Sequence, residues 1–337
     1  MRQSGEEFPD CLFQNRGMPQ MVSHIARKLI GVIPILLLVS IILFGIINML
    51  PGDAAMAVMG ESINQEDLTR TRSELGLDKP IYVRYGDWLC RVLRGDLGRA
   101  LKSNQPVTEI IEQRLPVTVE LTLLAVFIST LIALPAGIFS ALRRNSTWDV
   151  LDSIFSMIGI AMPPFWMGIL LILLFSVCWG WLPPSGYVSF FKDPLKNLQH
   201  MAMPAMTIGF AFAATIMRQT RSSMLEVLGE EYIVTARAKG LKERVVIWKH
   251  ALRNALIPVV TVISMQMGRL IGGAVVTETV FALPGVGREM VDSIISRNYP
   301  VIMALILITA LCVVLTNALV DIVYVVIDPR ISHTRES

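Results

Sequence analysis

The sequence is short of charge. Only 17% of its 337 residues are Asp, Glu, Lys or Arg, against about 25% in an average soluble domain. The net charge of +3 is too small to suggest a general affinity for nucleic acid. Cysteine is scarce as well. Cys11, Cys90, Cys178 and Cys312 stand far apart without CxxC spacing, which argues against a zinc site and against a disulfide framework. His24, His200, His250 and His333 make no ligand pair, so no metal site is predicted. No GxxxxGK[ST] run is present, so the chain carries no phosphate-cradling loop of its own. HExxH and a nucleophile elbow are missing too, and no enzyme constellation emerges.

Apolar sequence is what the chain has in excess, at 53% of residues. Runs of about 18 or more apolar residues mark membrane-spanning helices. Six spans are predicted, near 29–50, 117–141, 152–177, 201–217, 255–276 and 301–326, with 201–217 the shortest. The fold class is therefore all-α and polytopic. The first run is longer than the usual signal core of about 7–15 residues and has no A-x-A-like site after it. It reads as a retained span behind an N-terminal segment, 1–28, in which Met21 is a second candidate start.

Lys and Arg set the orientation. Arg27, Lys28, Arg143, Arg144, Arg218, Arg221, Arg237, Lys239, Lys242, Arg244, Lys249, Arg253 and Arg330 fall on one side. That side is predicted cytoplasmic, with both termini on it and 327–337 as a tail. The WGW at 179–181 then suits the outer interfacial belt. The long outer loop, 51–116, has helix-like apolar spacing and should hold short helices. Pro34, Pro135, Pro163, Pro164, Pro204 and Pro258 lie in the spans and favour a bundle that bends.

Polar groups inside the spans are few: Glu120, Asp152, Gln266, Arg269 and Asp321. An Arg at a helix centre costs about 2.5–3.5 kcal/mol on insertion scales, so Arg269 should face protein or water. Two readings stand. Arg269, with Gln266 and Glu120, lines a solute route; or Arg269 is a structural partner of Glu120 or of another chain.

One charged stretch, EEYIVTARAKGLKERVVIWKH at 230–250, is more than a loop obeying topology. Glu230 and Glu231 suit the start of a short helix, and Arg237 and Lys239 suit its end. Ile233, Ala236 and Gly240 share one face. Gly240 is a natural stop. The expectation is a helix over 229–240 whose small face admits another backbone, followed by a second helix over 241–250.

That stretch, followed by HALRNALIPVVT, resembles the cytoplasmic coupling segment (221–254) of type I ABC-importer permeases, in the dipeptide/oligopeptide/nickel branch. MLPGDAA (49–55), LGLDKPIYVRYGDWL (75–89), RGDLGRA (94–100), RLPVTVELT (114–122), AMPPFW (161–166), RSSMLEVLGEEY (221–232), TETVFALPGVG (277–287), RNYPV (297–301) and DPRI (328–331) continue the likeness across 22–331. It implies a permease subunit in the bacterial inner membrane, paired with a homologous second permease. Two ATPase subunits would hold ATP and Mg, with no cofactor on this chain, and an extracytoplasmic binding protein would deliver cargo. Glu231, Tyr232, Thr235, Ala236, Arg237, Lys239, Gly240 and Leu241 would contact an ATPase. Glu278, Phe281, Pro284 and Gly285 would shape the outer loop or gate. The implied cargo is a di- or oligopeptide; nickel, a metal chelate or glutathione is the alternative. An intramembrane enzyme would need paired catalytic residues at one depth, and a secondary transporter a mid-membrane carboxylate; neither is evident.

Overall fold

The computed structural model describes residues 17–49 and 78–327. Most of the MLPGDAA motif, the DPRI motif, the residues before 17 and the tail lie outside the described residues. So do the side chains of 17–30, 269–273 and 319–327, which include Arg269 and Asp321.

Every regular element described is helical. The order is α1 (Gly17–Met49), α2 (Ile81–Leu93), α3 (Val107–Leu142), α4 (Thr147–Ala161), α5 (Pro164–Leu171), α6 (Pro194–Leu228), α7 (Glu231–Ala238), α8 (Glu243–Val245), α9 (Leu252–Gly273), α10 (Val275–Val280), α11 (Val286–Ile295) and α12 (Tyr299–Ile327). Widened π turns at Ile172–Cys178 and Val246–Ala251 follow α5 and α8. Five helical stretches are long and apolar enough to cross a membrane, and α4 with α5 gives a sixth if that bent pair is one span.

The predicted third span is broken: α4 and the helix after it meet at 108°. Met162 precedes a proline, which disfavours helical ψ, and it is extended at φ −78° and ψ 124°. Pro164 then opens α5, where its missing N–H costs nothing. Pro34, Pro116, Pro135, Pro204 and Pro258 stay inside continuous helices, so bending concentrates at one pair.

Two helices outrun their predicted spans. α3 starts at Val107, ten residues before the predicted 117, and its 36 residues extend about 54 Å at 1.5 Å per residue. The shortest predicted span, 201–217, is the middle of the 35-residue α6. Charged residues near both its ends hid that length in the sequence. Asp193 caps α6 by accepting the Lys196 N–H at 3.1 Å, with Pro194 in the first turn.

α3 and α6 form the centre, and small residues let them close. A Cβ on Gly137 would stand 2.7 Å from the Met217 carbonyl oxygen, and one on Gly209 would stand 3.2 Å from that of Ala125. α4 joins through Gly159, whose Cβ would meet the Ala214 Cβ at 2.6 Å. In lipid such close packing replaces the hydrophobic drive between helices. Gly159→Val should push α4 off α6; a severalfold drop in the correctly inserted protein, read by quantitative immunoblot of membranes, is the expected result.

The two ends of α3 define two faces. Ile138 and Ala141 pack with Ile233 and Ala236 of α7. At the other end Val107, Ile110 and Ile111 pack with Val286, Val301, Ala304 and Leu305. α7 and α11 therefore lie on opposite faces. On the α11 side, α2 is fastened to α1 by the Phe44, Tyr85 and Trp88 rings and by a 2.8 Å hydrogen bond between Ser40 and Tyr85.

Candidate functional site

α7 is a short helix over 231–238, tighter than the predicted 229–240. Glu231 lies in its first turn, where the dipole favours an anion. Thr235 Oγ1 donates back to the Glu231 carbonyl at 3.0 Å. Gly240 ends the helix as expected, at φ 75°. Its N–H donates to the Arg237 carbonyl at 2.9 Å, and the Leu241 N–H donates to Ala236 at 3.4 Å. That pair of bonds is a Schellman stop, and it needs a left-handed residue at this position. The second helix begins only at Glu243. Arg237 reaches it through a two-bond contact to Glu243, at 2.7 and 3.2 Å. The Glu243 carboxylate beside it raises the Arg237 pKa further.

The small face of α7 points the other way from the prediction. Ile233 is fully buried and Ala236 nearly so, in a bed made by Ile138, Ala141, Met224, Val246, Ala251 and Ala255 of the same chain. This face holds α7 to its own bundle and admits no partner backbone. Val234, at 58% exposed, and Leu241, at 41%, face outward, with Lys239 exposed beside them. Tyr232 accepts a hydrogen bond from Asn254 Nδ2 at 2.7 Å, pinning α7 to α9.

Beside this bed sits an ion pair that the sequence did not suggest. Asp149 is buried in the first turn of α4. It takes both Nε and Nη2 of Arg221 on α6, the latter at 3.0 Å. Ser140 Oγ donates to it at 2.8 Å and the Asn145 N–H at 2.9 Å. The four groups join the ends of α3, α4 and α6. One turn on, Asp152 is also buried, with Oδ1 lacking any partner.

The α11 face holds a buried carboxylate of its own. Glu278 of α10 is fully buried. Thr118 Oγ1 donates to it at 2.6 Å and the Arg288 N–H at 2.9 Å. Thr118 Oγ1 itself accepts the Val286 N–H at 2.9 Å. The anion thus neutralises the first turn of α11 and fastens it to α3. Gly285 lies directly over the carboxylate, where a Cβ would stand 2.2 Å from Glu278 Cδ. Of the predicted gate residues, Phe281 is 1% exposed and belongs to the core with Val117 and Leu121; it does not border an open route. Pro284 and Gly285 line a cavity.

Glu120 has two partners of its own. Tyr187 Oη donates to it at 2.9 Å and Asn197 Nδ2 at 2.6 Å, so the carboxylate ties α3 to α6 and the preceding loop. Burial, then the Glu120 bond, push the Tyr187 phenol up to about 12, which keeps it a donor. These contacts account for Glu120 without Arg269. Gln266 is half-buried on α9.

Thr118, Asp149, Arg221, Tyr187 and Asn197 escaped the sequence reading. Arg221 and Thr118 lie inside quoted motifs, but nothing local signals partners 72 and 160 residues away.

Comparison with known proteins gives these two faces a context. The sequence profile described as binding-protein-dependent transport system inner membrane component matches residues 133–333, and the corresponding N-terminal profile matches 21–122. The dipeptide transport system permease protein DppB of Escherichia coli K12 is 42% identical, over 94% of this chain and 100% of that one. Its counterpart from Alkalihalophilus pseudofirmus is 39% identical, over 93% and 100%. A solved structure of the MetNI methionine ABC transporter in inward-facing conformations shares the fold, with TM-score 0.53 at 18% identity over 65% of this chain and 96% of that one. The chain belongs to the family of binding-protein-dependent transport system inner membrane components.

Proposed function

We propose that this chain is one permease subunit of an ATP-driven importer of short peptides, and that α7 is its contact with an ATPase subunit. The dipeptide permeases that it matches over almost their whole length support the cargo class. The observation that carries the coupling role is the two-sidedness of α7. One side, Ile233 and Ala236, is locked into the bundle; the other presents Val234 and Leu241 with Lys239. A push on such a helix passes through a rigid bed to α3, α6 and α9, and through the Asp149–Arg221 clamp to α4. ATP and Mg belong to two ATPase subunits on the α7 side, which we assign to the cytoplasm with both termini. A second permease subunit completes the route, with Gln266 and Arg269 of α9 as candidates to line it. A binding protein delivers cargo to the α11 face.

Val234→Asp places a charge on the outward side without touching the bed. In proteoliposomes holding all subunits, it should reduce ATPase stimulation by the loaded binding protein about tenfold and lower ATPase-subunit recovery in pull-downs. Unchanged stimulation and recovery would remove α7 from the docking surface. Gly240→Val should give the same uncoupling while the permease pair persists, because a β-branched residue strains the left-handed stop.

A further inference from the structure

The α11 face carries a cavity of about 150 Å³, lined by Arg114, Pro284, Gly285, Arg288, Glu289 and Asp292. A dry cavity of that volume holds a benzene-sized group, but this one is walled by two guanidinium and two carboxylate groups. We propose that it is a receiving subsite for the charged ends of a short peptide, taking the terminal carboxylate between Arg114 and Arg288 and the terminal ammonium at Asp292. The proposal rests on the peptide reading above and adds a place for the cargo on this chain.

Three observations carry it. First, the charges are not used up among themselves. Arg114 pairs through Nη2 with Glu289 at 3.0 Å, yet its Nε is buried with no hydrogen-bond partner. A buried donor without an acceptor is costly, and a carboxylate in the cavity would relieve it. Arg288 Nε stands 3.8 Å from Asp292 Oδ2, beyond hydrogen-bond length. That ion pair has no hydrogen bond across it, so the Arg288 donors and the Asp292 acceptors keep capacity for a ligand. Second, the walls are held in advance. The Arg288 backbone is tied to Glu278, and Thr118 ties Glu278 and the Val286 amide to α3. The side chain of Arg288 has an ion pair with Asp292 but no side-chain hydrogen bond to it, while its backbone is fixed, which saves part of the ordering cost on binding. Third, the lining is mixed in sign. A site for a simple anion or cation would carry one sign; paired signs across a small cavity match a zwitterion, and the forked guanidinium matches a carboxylate.

The test uses the assembled transporter in nanodiscs without its binding protein, and dialanine as the probe, read by saturation-transfer NMR. Dialanine should give transfer signals that fall at least fivefold in Arg288→Gln and in Asp292→Asn. Dialanine amide should lose signal on the wild type, and so should N-acetyl-dialanine. Equal signals from dialanine in wild type and both variants, or equal signals from the capped forms, would overturn the subsite. Retained dialanine binding with lost binding-protein stimulation in the variants would also overturn it, by making the cavity a protein-docking point. Binding-protein-dependent dialanine uptake into liposomes is measured alongside. No uptake of any peptide by the wild type would refute the peptide reading; normal uptake with unchanged binding in both variants refutes the subsite alone. Co-purification of the variants with their partner subunits shows that they fold.

Discussion

Gly285→Ala is expected to strip most of the assembled protein from the membrane and to destabilise what remains by about 3 kcal/mol or more. The added Cβ would fall 2.2 Å from Glu278 Cδ and 2.3–2.4 Å from its oxygens. Nothing nearby can yield cheaply, because the carboxylate is fully buried and held by Thr118 and the Arg288 amide. Moving it breaks charge-assisted hydrogen bonds and leaves buried groups unpaired, each costing about 1–3 kcal/mol. Gly86→Ala is the control. Gly86 lies inside α2 with no atom within 4 Å of an added Cβ, so alanine should be neutral or stabilise by roughly 0.5–1 kcal/mol. Thermal unfolding of the purified complex separates the two. A wild-type melting curve for Gly285→Ala would contradict the packing of this junction.

Asp149→Asn should cost about 3 kcal/mol, the low end for breaking a buried pair because Arg221 is partly exposed, and should impair coupling as well. The amide cannot balance Arg221, and Nε and Nη2 lose their anionic acceptor. Asp152→Asn, one turn away and equally buried, should be nearly neutral or slightly stabilising, because its Oδ1 has no bond to lose and an ionised carboxylate there costs desolvation. The ordering is the measurement: heat stability of the complex with Asp149→Asn well below wild type and Asp152→Asn at or above it. The reverse order would show that Arg221 is held by the other carboxylate. Salt should change the gap little, since a partly buried pair is screened less than an exposed one.

Much of the architecture was legible because its causes are local. A run of about 20 apolar residues has few stable places other than a membrane, so the apolar crossings could be located from the chain, five of them as continuous helices and the sixth as the bent α4–α5 pair. The stop after α7 was legible too, because Gly240 meets a backbone need within its own turn. The ends of α3 and α6 were not, since charged residues that extend a helix past the hydrocarbon look like loop in a hydropathy reading.

What only the tertiary structure decided is how elements face one another. Pro135 and Pro163 look alike as letters. One stays inside a continuous helix packed on α6, whereas the other follows an extended Met162 and precedes a second proline that starts a new helix. The stripe of Ile233, Ala236 and Gly240 could be read from helical period, but not that Ile233 and Ala236 pack on the chain itself while Gly240 stays exposed beyond the helix end. Glu278 entered through the resemblance as an outer-loop or gate residue, yet its contacts come from Thr118, 160 residues away, and from Gly285 above it. Composition and periodicity determine that a helix forms and that it enters a membrane, because those depend on each segment and its solvent. Which groups become partners depends on the close approach of distant backbones, and that is fixed only when the helices pack.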